Sequence, residues 1–73
     1  MNTINAKVGA IPGQVRQIVL QSPASVADAL QAVGLDASQG LVTVNGSPIA
    51  GNPAETPIFD GDRVIVSLPT KGN

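Results

Sequence analysis

Hydrophobic and polar residues alternate at the start of the chain and again near its end. In TINAKVG, the residues Ile4, Ala6 and Val8 alternate with polar neighbours. A period of two is typical of a strand with one buried face. This segment therefore predicts a first strand, and RVIVSL at residues 63–68 predicts the last strand by the same pattern.

The segment QVRQIVLQ predicts a second strand that pairs with the first across a turn at residues 12–13. Its apolar residues fall on both faces, with Ile18 and Leu20 on one side and Val15 and Val19 on the other. Both faces of this strand are therefore expected to need cover.

The period changes in SPASVADALQAVGLD, which predicts the single helix of the chain, about nine or ten residues long. Ser25 suits the N-cap and Asp28 completes a capping box, while Gly34 suits the position after the C-cap. The apolar residues at positions i, i+3, i+4 and i+7 define the buried face of this helix: Val26, Ala29, Leu30 and Val33.

The segment between the helix and the last strand predicts a third strand, GLVTVNGSPI, with a tight turn at residues 45–46. Residues 50–57 lack periodicity and predict a loop, residues 58–59 a very short strand, and residues 60–62 a second tight turn. Pro69 predicts the end of strand pairing, because proline has no amide hydrogen to donate.

The resulting order, β-β-α-β-(β)-β, predicts one sheet packed on one helix, which is an α+β two-layer domain. Because the first and last strands share the alternating pattern, we expect them side by side in a mixed sheet of four or five strands. That arrangement is a β-grasp. Residues 1–73 are predicted to form one domain, with residues 69–73 as a flexible tail.

Composition narrows the classes of function. The chain has no Cys and no His, which removes thiolate metal sites and the usual general base. Phe59 is the only aromatic residue and the net charge is −1, so nucleic-acid binding is not expected. No segment predicts a signal peptide or the roughly 20 apolar residues of a membrane span. We expect the protein in the cytoplasm or within an assembled particle.

Three segments resemble the small ubiquitin-like sulfur carriers of thiamine and molybdopterin biosynthesis, the ThiS/MoaD type. SVADALQAVGL resembles the helix that follows the first hairpin of that family, LVTVNGSPI its central strand and turn, and IFDGDRVIVSLPTKGN its closing hairpin. The resemblance is clearest over residues 25–73. It implies a ubiquitin-like fold and a function that runs through the C-terminal carboxylate, which an adenylating enzyme activates before sulfur is added.

The sequence departs from that family at the tail. Carriers of this type end in Gly-Gly, whereas Gly72 is followed here by Asn73. The glycine pair lets the tail pass fully extended through a narrow channel in which a side chain would clash. We therefore predict that Gly72 and Asn73 do not accept sulfur. Sulfur carriage, with an adenylating enzyme as partner, is the alternative function.

Other residues that suggest chemistry have simpler structural explanations. Asp60 and Asp62 could bind a cation, but carboxylates beside a tight turn commonly accept hydrogen bonds from the turn's own amides. Ser25 lacks a histidine to activate it as a nucleophile, which favours its capping role. We expect no catalytic residue, no cofactor and no metal.

One helix can cover only one face of the sheet, yet several strands are apolar on both faces. We expect the uncovered face to bind a protein partner, since an exposed apolar patch usually marks an interaction site. The apolar residues predicted there are Val15, Val19 and Ile65. Arg63 is the predicted polar contact. Alternatively, the loop of residues 46–57 folds over this patch.

These features predict a non-catalytic interaction module that acts as a small subunit of a larger assembly. Its sparse charge leaves a neutral surface, which favours association with protein partners, in several copies. A structural component of a virus-like or phage particle would suit this profile. The chain is not expected to be an enzyme.

Overall fold

The structure, a computed structural model, describes residues 2–69, and its first two strands form the predicted hairpin. Strand β1 (Thr3–Ile11) pairs antiparallel with β2 (Val15–Gln21) without interruption. Strand β1 extends two residues beyond the predicted pattern, which adds Ala10 and Ile11 to the sheet.

The single helix of the described residues, α1 (Val26–Ala32), begins as its capping residues predict. The Asp28 amide donates to Ser25 Oγ at 3.2 Å, and the Ser25 amide donates to Asp28 Oδ2 at 2.9 Å. This reciprocal pair is a capping box, which satisfies two amides that the first helical turn leaves without partners.

The helix has seven residues, fewer than the nine or ten predicted, but it ends where Gly34 predicts: Val33 is its C-cap, with φ −111° and ψ 10°. Gly34 follows with φ 76°, and the Leu35 amide donates to the Leu30 carbonyl at 2.8 Å. Glycine tolerates this left-handed backbone angle, and the resulting hydrogen-bonded motif terminates the helix.

The main sheet has five strands in the order β2-β1-β7-β4-β5. Its remaining strands are β4 (Leu41–Val44), β5 (Ser47–Pro48) and β7 (Arg63–Ser67). Strand β7 runs parallel to β1 and antiparallel to β4. The first and last strands therefore lie side by side, and the α+β β-grasp with a mixed sheet and one helix is confirmed.

The predicted closing hairpin is wrong. Strand β6 (Pro57–Ile58) pairs with β3 (Ala24–Ser25) in a separate two-stranded sheet, not with β7. The physical reason is the burial of Ile58, which is 3% exposed and belongs to the core between the helix and the main sheet. The turn at residues 60–62 therefore leads from one sheet into the other.

The loop of residues 46–57 does not fold over the uncovered face of the sheet. It contains a short 3₁₀ turn, Pro53–Glu55, which packs against α1 and β3. Another 3₁₀ turn, Ala37–Gln39, precedes β4. Because the 3₁₀ turn Pro53–Glu55 lies on the helix side, and residues 47–48 form the edge strand β5, the outer face of the sheet stays uncovered by the loop.

The core lies between α1 and the sheet and is apolar, with no buried polar or charged residue among residues 2–69. Packing therefore supplies the stability of the fold. Val26, Ala29 and Leu30 are buried as predicted, and Val33 packs against them while partly exposed. The largest fully buried side chains are Leu30, Val8, Val26, Val64 and Val66.

Candidate functional site

The face of the sheet that points away from α1 carries the predicted partner-binding residues. Gly9 on β1 lies opposite Val15 on β2 and opposite Ile65 on β7, and Ile65 lies opposite Thr43 on β4. Because residues opposite each other share a face, these positions form one row across four strands. Ile65 alternates with two fully buried residues, so its side chain lies on the outer face.

Gly9 is the residue that brings the hairpin close at this row. A Cβ atom at Gly9 would collide with the backbone carbonyl oxygen of Gln14. Val15 and Ile65 are not on neighbouring strands, because β1 lies between β2 and β7 and contributes only Gly9 to the row.

Exposure differs sharply among the three predicted apolar residues. Val15 is 44% exposed and Val19 is 62% exposed, whereas Ile65 is only 7% exposed. Ile65 lies on a strand with neighbours on both sides, and residues such as Lys7 and Thr43 line the same depression around it. The expectation that Ile65 is an open contact residue is therefore wrong, although it lies on the predicted face.

Two further exposed apolar residues on this face are not among the predicted contact residues. Ile11 is 53% exposed and Leu41 is 57% exposed. Both lie in register with Ser67, which places them in one row beside Ile65. Continuing the alternation of β1 for two more residues would have identified Ile11.

The centre of this face is a shallow groove of about 610 Å³, called the outer groove here. Its side chains change from basic at one end to apolar and hydroxyl-bearing at the other. Lys7 lies directly opposite Arg63 in the register of β1 and β7, and both are exposed. The residues that line the outer groove are Lys7, Ile11, Thr43, Asn45, Gly46, Gly61, Arg63, Ile65 and Ser67.

Three of the five acidic residues lie on the helix side of the molecule. Asp28 lies in the first turn of α1, and Asp36 caps the 3₁₀ turn before β4. Glu55 lies in the 3₁₀ turn that packs on α1. The other two lie in the turn at residues 60–62, beside the basic end of the outer groove, so charges of both signs occur there.

The turn at residues 60–62 uses its carboxylates for structure. Asp60 Oδ1 accepts from the Asn5 amide at 2.7 Å, and Asp62 Oδ2 accepts from the Phe59 amide at 2.8 Å. Gly61 has φ 88°, a backbone angle that favours glycine. Within residues 2–69, no group of three potential ligand residues could hold a metal ion.

Asn45 ties this turn to strands β4 and β7. Its Nδ2 donates to Asp62 Oδ1 at 3.0 Å, and its Oδ1 accepts from the Arg63 amide at 2.9 Å. Asn45 also has φ 53°, which asparagine tolerates better than most residues. The asparagine and the turn therefore form one hydrogen-bonded unit that holds Arg63 at the basic end of the outer groove.

The tail residues Gly72 and Asn73 lie outside the described residues. Strand β7 ends at Ser67, and the Leu68 amide donates to the Ile11 carbonyl at 2.8 Å. The chain is therefore anchored to the sheet as far as Leu68, beside the apolar end of the outer groove. Within the described part of the chain, no helix is long and apolar enough to cross a membrane.

Comparison with known proteins identifies the family. No curated protein matches the chain. The model of the ThiS family matches residues 3–70, which include every helix and strand of the structure. The five-stranded mixed sheet with one helix agrees with the β-grasp fold of that family. The chain therefore belongs to the ThiS family and is a ubiquitin-like module of the sulfur-carrier type.

Proposed function

We propose that this protein binds a protein partner through the outer groove of its sheet and performs no chemistry with its own side chains. The supporting observation is the open outer face, where exposed Val15, Ile11 and Leu41 surround a groove with two cations at one end. Helix α1 and the 3₁₀ turn Pro53–Glu55 both pack on the other side.

The chemistry of the outer groove defines the kind of partner. Its apolar end favours an apolar surface, because burial of exposed aliphatic side chains is favourable in water. The adjacent Lys7 and Arg63 favour carboxylates at the margin of that surface. Proteins of the ThiS family bind partner proteins such as adenylating enzymes, so a carrier-adenylating enzyme is the partner to test first.

Arg63→Glu is expected to weaken binding of a carrier-adenylating enzyme about tenfold, by reversing a charge at the margin of the interface. Arg16→Glu is the matched control. Arg16 lies on β2 opposite Val8 of β1, so it belongs to the helix-side face. The same charge change at Arg16 should leave the affinity for the enzyme unchanged. Isothermal titration calorimetry at low and high salt measures both variants.

A loss of affinity that is equal for Arg63→Glu and Arg16→Glu would contradict docking on the outer groove, because it would reflect net charge alone. Backbone amide chemical shifts, measured during titration with the enzyme, locate the contact independently. We expect the changes to cluster around Thr43 and Ile65. Changes that cluster on α1 would place the partner on the helix side.

The second candidate function is sulfur carriage, which family membership favours. It would run through the C-terminal carboxylate, and the partner would be an adenylating enzyme. Docking at the outer groove suits this function as well, since the last anchored residue, Leu68, leaves the sheet beside the groove's apolar end. The two candidates therefore differ at the tail and share the docking face.

The tail residue Asn73 is expected to prevent sulfur transfer, because its side chain replaces the hydrogen of a glycine. The chain ending at Asn73 should gain no sulfur when it is incubated with a carrier-adenylating enzyme, ATP and a sulfur donor. The matched variant Asn73→Gly restores Gly-Gly and should gain one sulfur atom in place of one carboxylate oxygen. Intact-mass spectrometry reads both results.

A gain of sulfur by the unaltered chain would establish sulfur carriage and contradict the prediction that Asn73 prevents the transfer. A carrier that ends in Gly-Gly serves as the positive control. If that carrier gains sulfur while neither the unaltered chain nor Asn73→Gly does, a feature other than the last residue distinguishes this protein from sulfur carriers. A role as a small subunit of a larger assembly, such as a virus-like or phage particle, then stays the leading prediction. Its neutral surface supports that role.

A further inference from the structure

The two edges of the main sheet are built differently. Strand β5 forms one edge with only two residues, one of which is Pro48. Strand β2 forms the other edge with seven residues, no proline and a single charge, Arg16. Short strands, prolines, charges and bulges are the usual means of blocking edge pairing. Within residues 2–69, the protein therefore blocks the β5 edge and leaves the β2 edge open to another strand.

The direction of the backbone groups on β2 follows from its neighbour. On β1, the Lys7 amide donates toward β7, and the Ile11 carbonyl accepts from the segment after β7. Odd-numbered residues of β1 therefore bond on the β7 side, and even-numbered residues bond on the β2 side. The Ala10 amide agrees with this assignment, because it donates to the Gln14 carbonyl at 3.4 Å.

The pairing register between β1 and β2 shows which backbone groups of β2 face β1. The residues opposite the even-numbered positions of β1 are Arg16, Ile18 and Leu20, and their backbone groups are used by β1. The amides and carbonyls of the intervening residues point to the open edge. These residues are Val15, Gln17, Val19 and Gln21.

The side chains of β2 are also incompletely covered. Ile18 and Leu20 pack against the core but remain half-buried at the edge of the sheet. Val19 is 62% exposed on the other face. A strand added beside β2 would shield apolar side chains on both faces while it bonds to the open backbone groups.

We propose that β2 pairs antiparallel with β2 of a second copy of this chain, across a twofold axis at Ile18. Only a register centred on Ile18 pairs all four residues with open backbone groups. Val15 then faces Gln21 of the second copy, and Gln17 faces its Val19. Arg16 faces Leu20, so the two arginines avoid each other. A net charge of −1 adds little repulsion between the copies.

This pairing goes beyond the proposed partner binding and does not use the outer groove. The twofold axis runs perpendicular to the joined sheet, so both outer grooves lie on the same face of that sheet. Two grooves held together could engage a repeated partner surface with higher avidity than one groove. The second copy is favoured over an unrelated strand because the sequence of β2 pairs with itself without placing like charges opposite each other.

Val19→Pro tests the pairing. It removes an amide hydrogen that faces the second copy and leaves the bonds between β1 and β2 in place. Val19→Thr is the matched control, since it is also β-branched and keeps the amide hydrogen. Because each interface loses two hydrogen bonds, we expect the dimer dissociation constant to rise at least about tenfold for Val19→Pro. Analytical ultracentrifugation measures the constant, and circular dichroism monitors the fold.

A pair of double variants tests the register without proline. Gln17→Lys with Val19→Lys would place lysine opposite lysine and should dissociate the dimer. Gln17→Glu with Val19→Lys would place opposite charges together and should tighten it. A chain that is monomeric up to about 1 mM would overturn the proposal. So would a dimer whose dissociation constant is the same in both double variants, because its interface would lie elsewhere.

Discussion

Leu30→Ala will lower the free energy of unfolding by about 2–5 kcal/mol. Leu30 is 2% exposed and lies in α1 against the sheet, where truncation leaves a cavity that the surrounding backbone can only partly fill. A single core of this size rarely supplies more than about 3–5 kcal/mol in total. The variant should therefore be largely unfolded at room temperature, as measured by urea denaturation followed by circular dichroism.

Leu41→Ala is the matched control for this result. It removes the same atoms from a leucine that is 57% exposed on the outer face. The unfolding free energy should change by less than about 0.5 kcal/mol, as is usual for exposed positions. If both variants lost the same stability, or if Leu30→Ala melted like the unaltered protein, α1 would not cover the sheet as the structure has it.

Ile65→Asp is expected to destabilise the isolated fold by about 3 kcal/mol or more. The sequence alone predicts that this variant stays folded and loses only its association, because the pattern of β7 indicates an open contact residue at position 65. At 7% exposure, however, the substitution removes a packed aliphatic side chain and places a carboxylate where water has little access. Urea denaturation of the two proteins measures the difference.

Leu41→Asp distinguishes the effect of burial from the effect of lying on the outer face. It introduces the same charge on the same face at an exposed position, so the fold should remain intact while binding of an adenylating enzyme weakens. Ile65→Asp with unchanged stability would mean that its side chain reaches water freely. Leu41→Asp with unchanged affinity would confine the partner to the basic end of the outer groove, near Arg63.

Sequence alone determined the parts of this protein that depend on neighbouring residues. The alternation of Ile4, Ala6 and Val8 predicted a strand with one buried face, and all three are buried. The spacing of Ser25 and Asp28 predicted a capping box, which forms as expected. These features were readable because backbone periodicity and capping hydrogen bonds act over only a few residues.

The family and the uncovered face could be predicted from the sequence, whereas the occupant of that face could not. Resemblance carried the family assignment, which the family match confirms over residues 3–70. Alternation also placed Val15 and Val19 on the uncovered face, where the structure has them. Partner binding at that face remains a prediction, since a pattern of side chains identifies an open surface without identifying what covers it.

Tertiary structure alone decided which distant segments meet. Strand β6 pairs with β3 because Ile58 is buried in the core, and the 3₁₀ turn just before β6 packs on the helix side. Ile65 is covered because β1 and β4 flank its strand, whereas Val19, with the same outward direction, is exposed on an edge strand. The number of neighbours around a side chain depends on strand order, and strand order is set by packing between segments far apart in the chain.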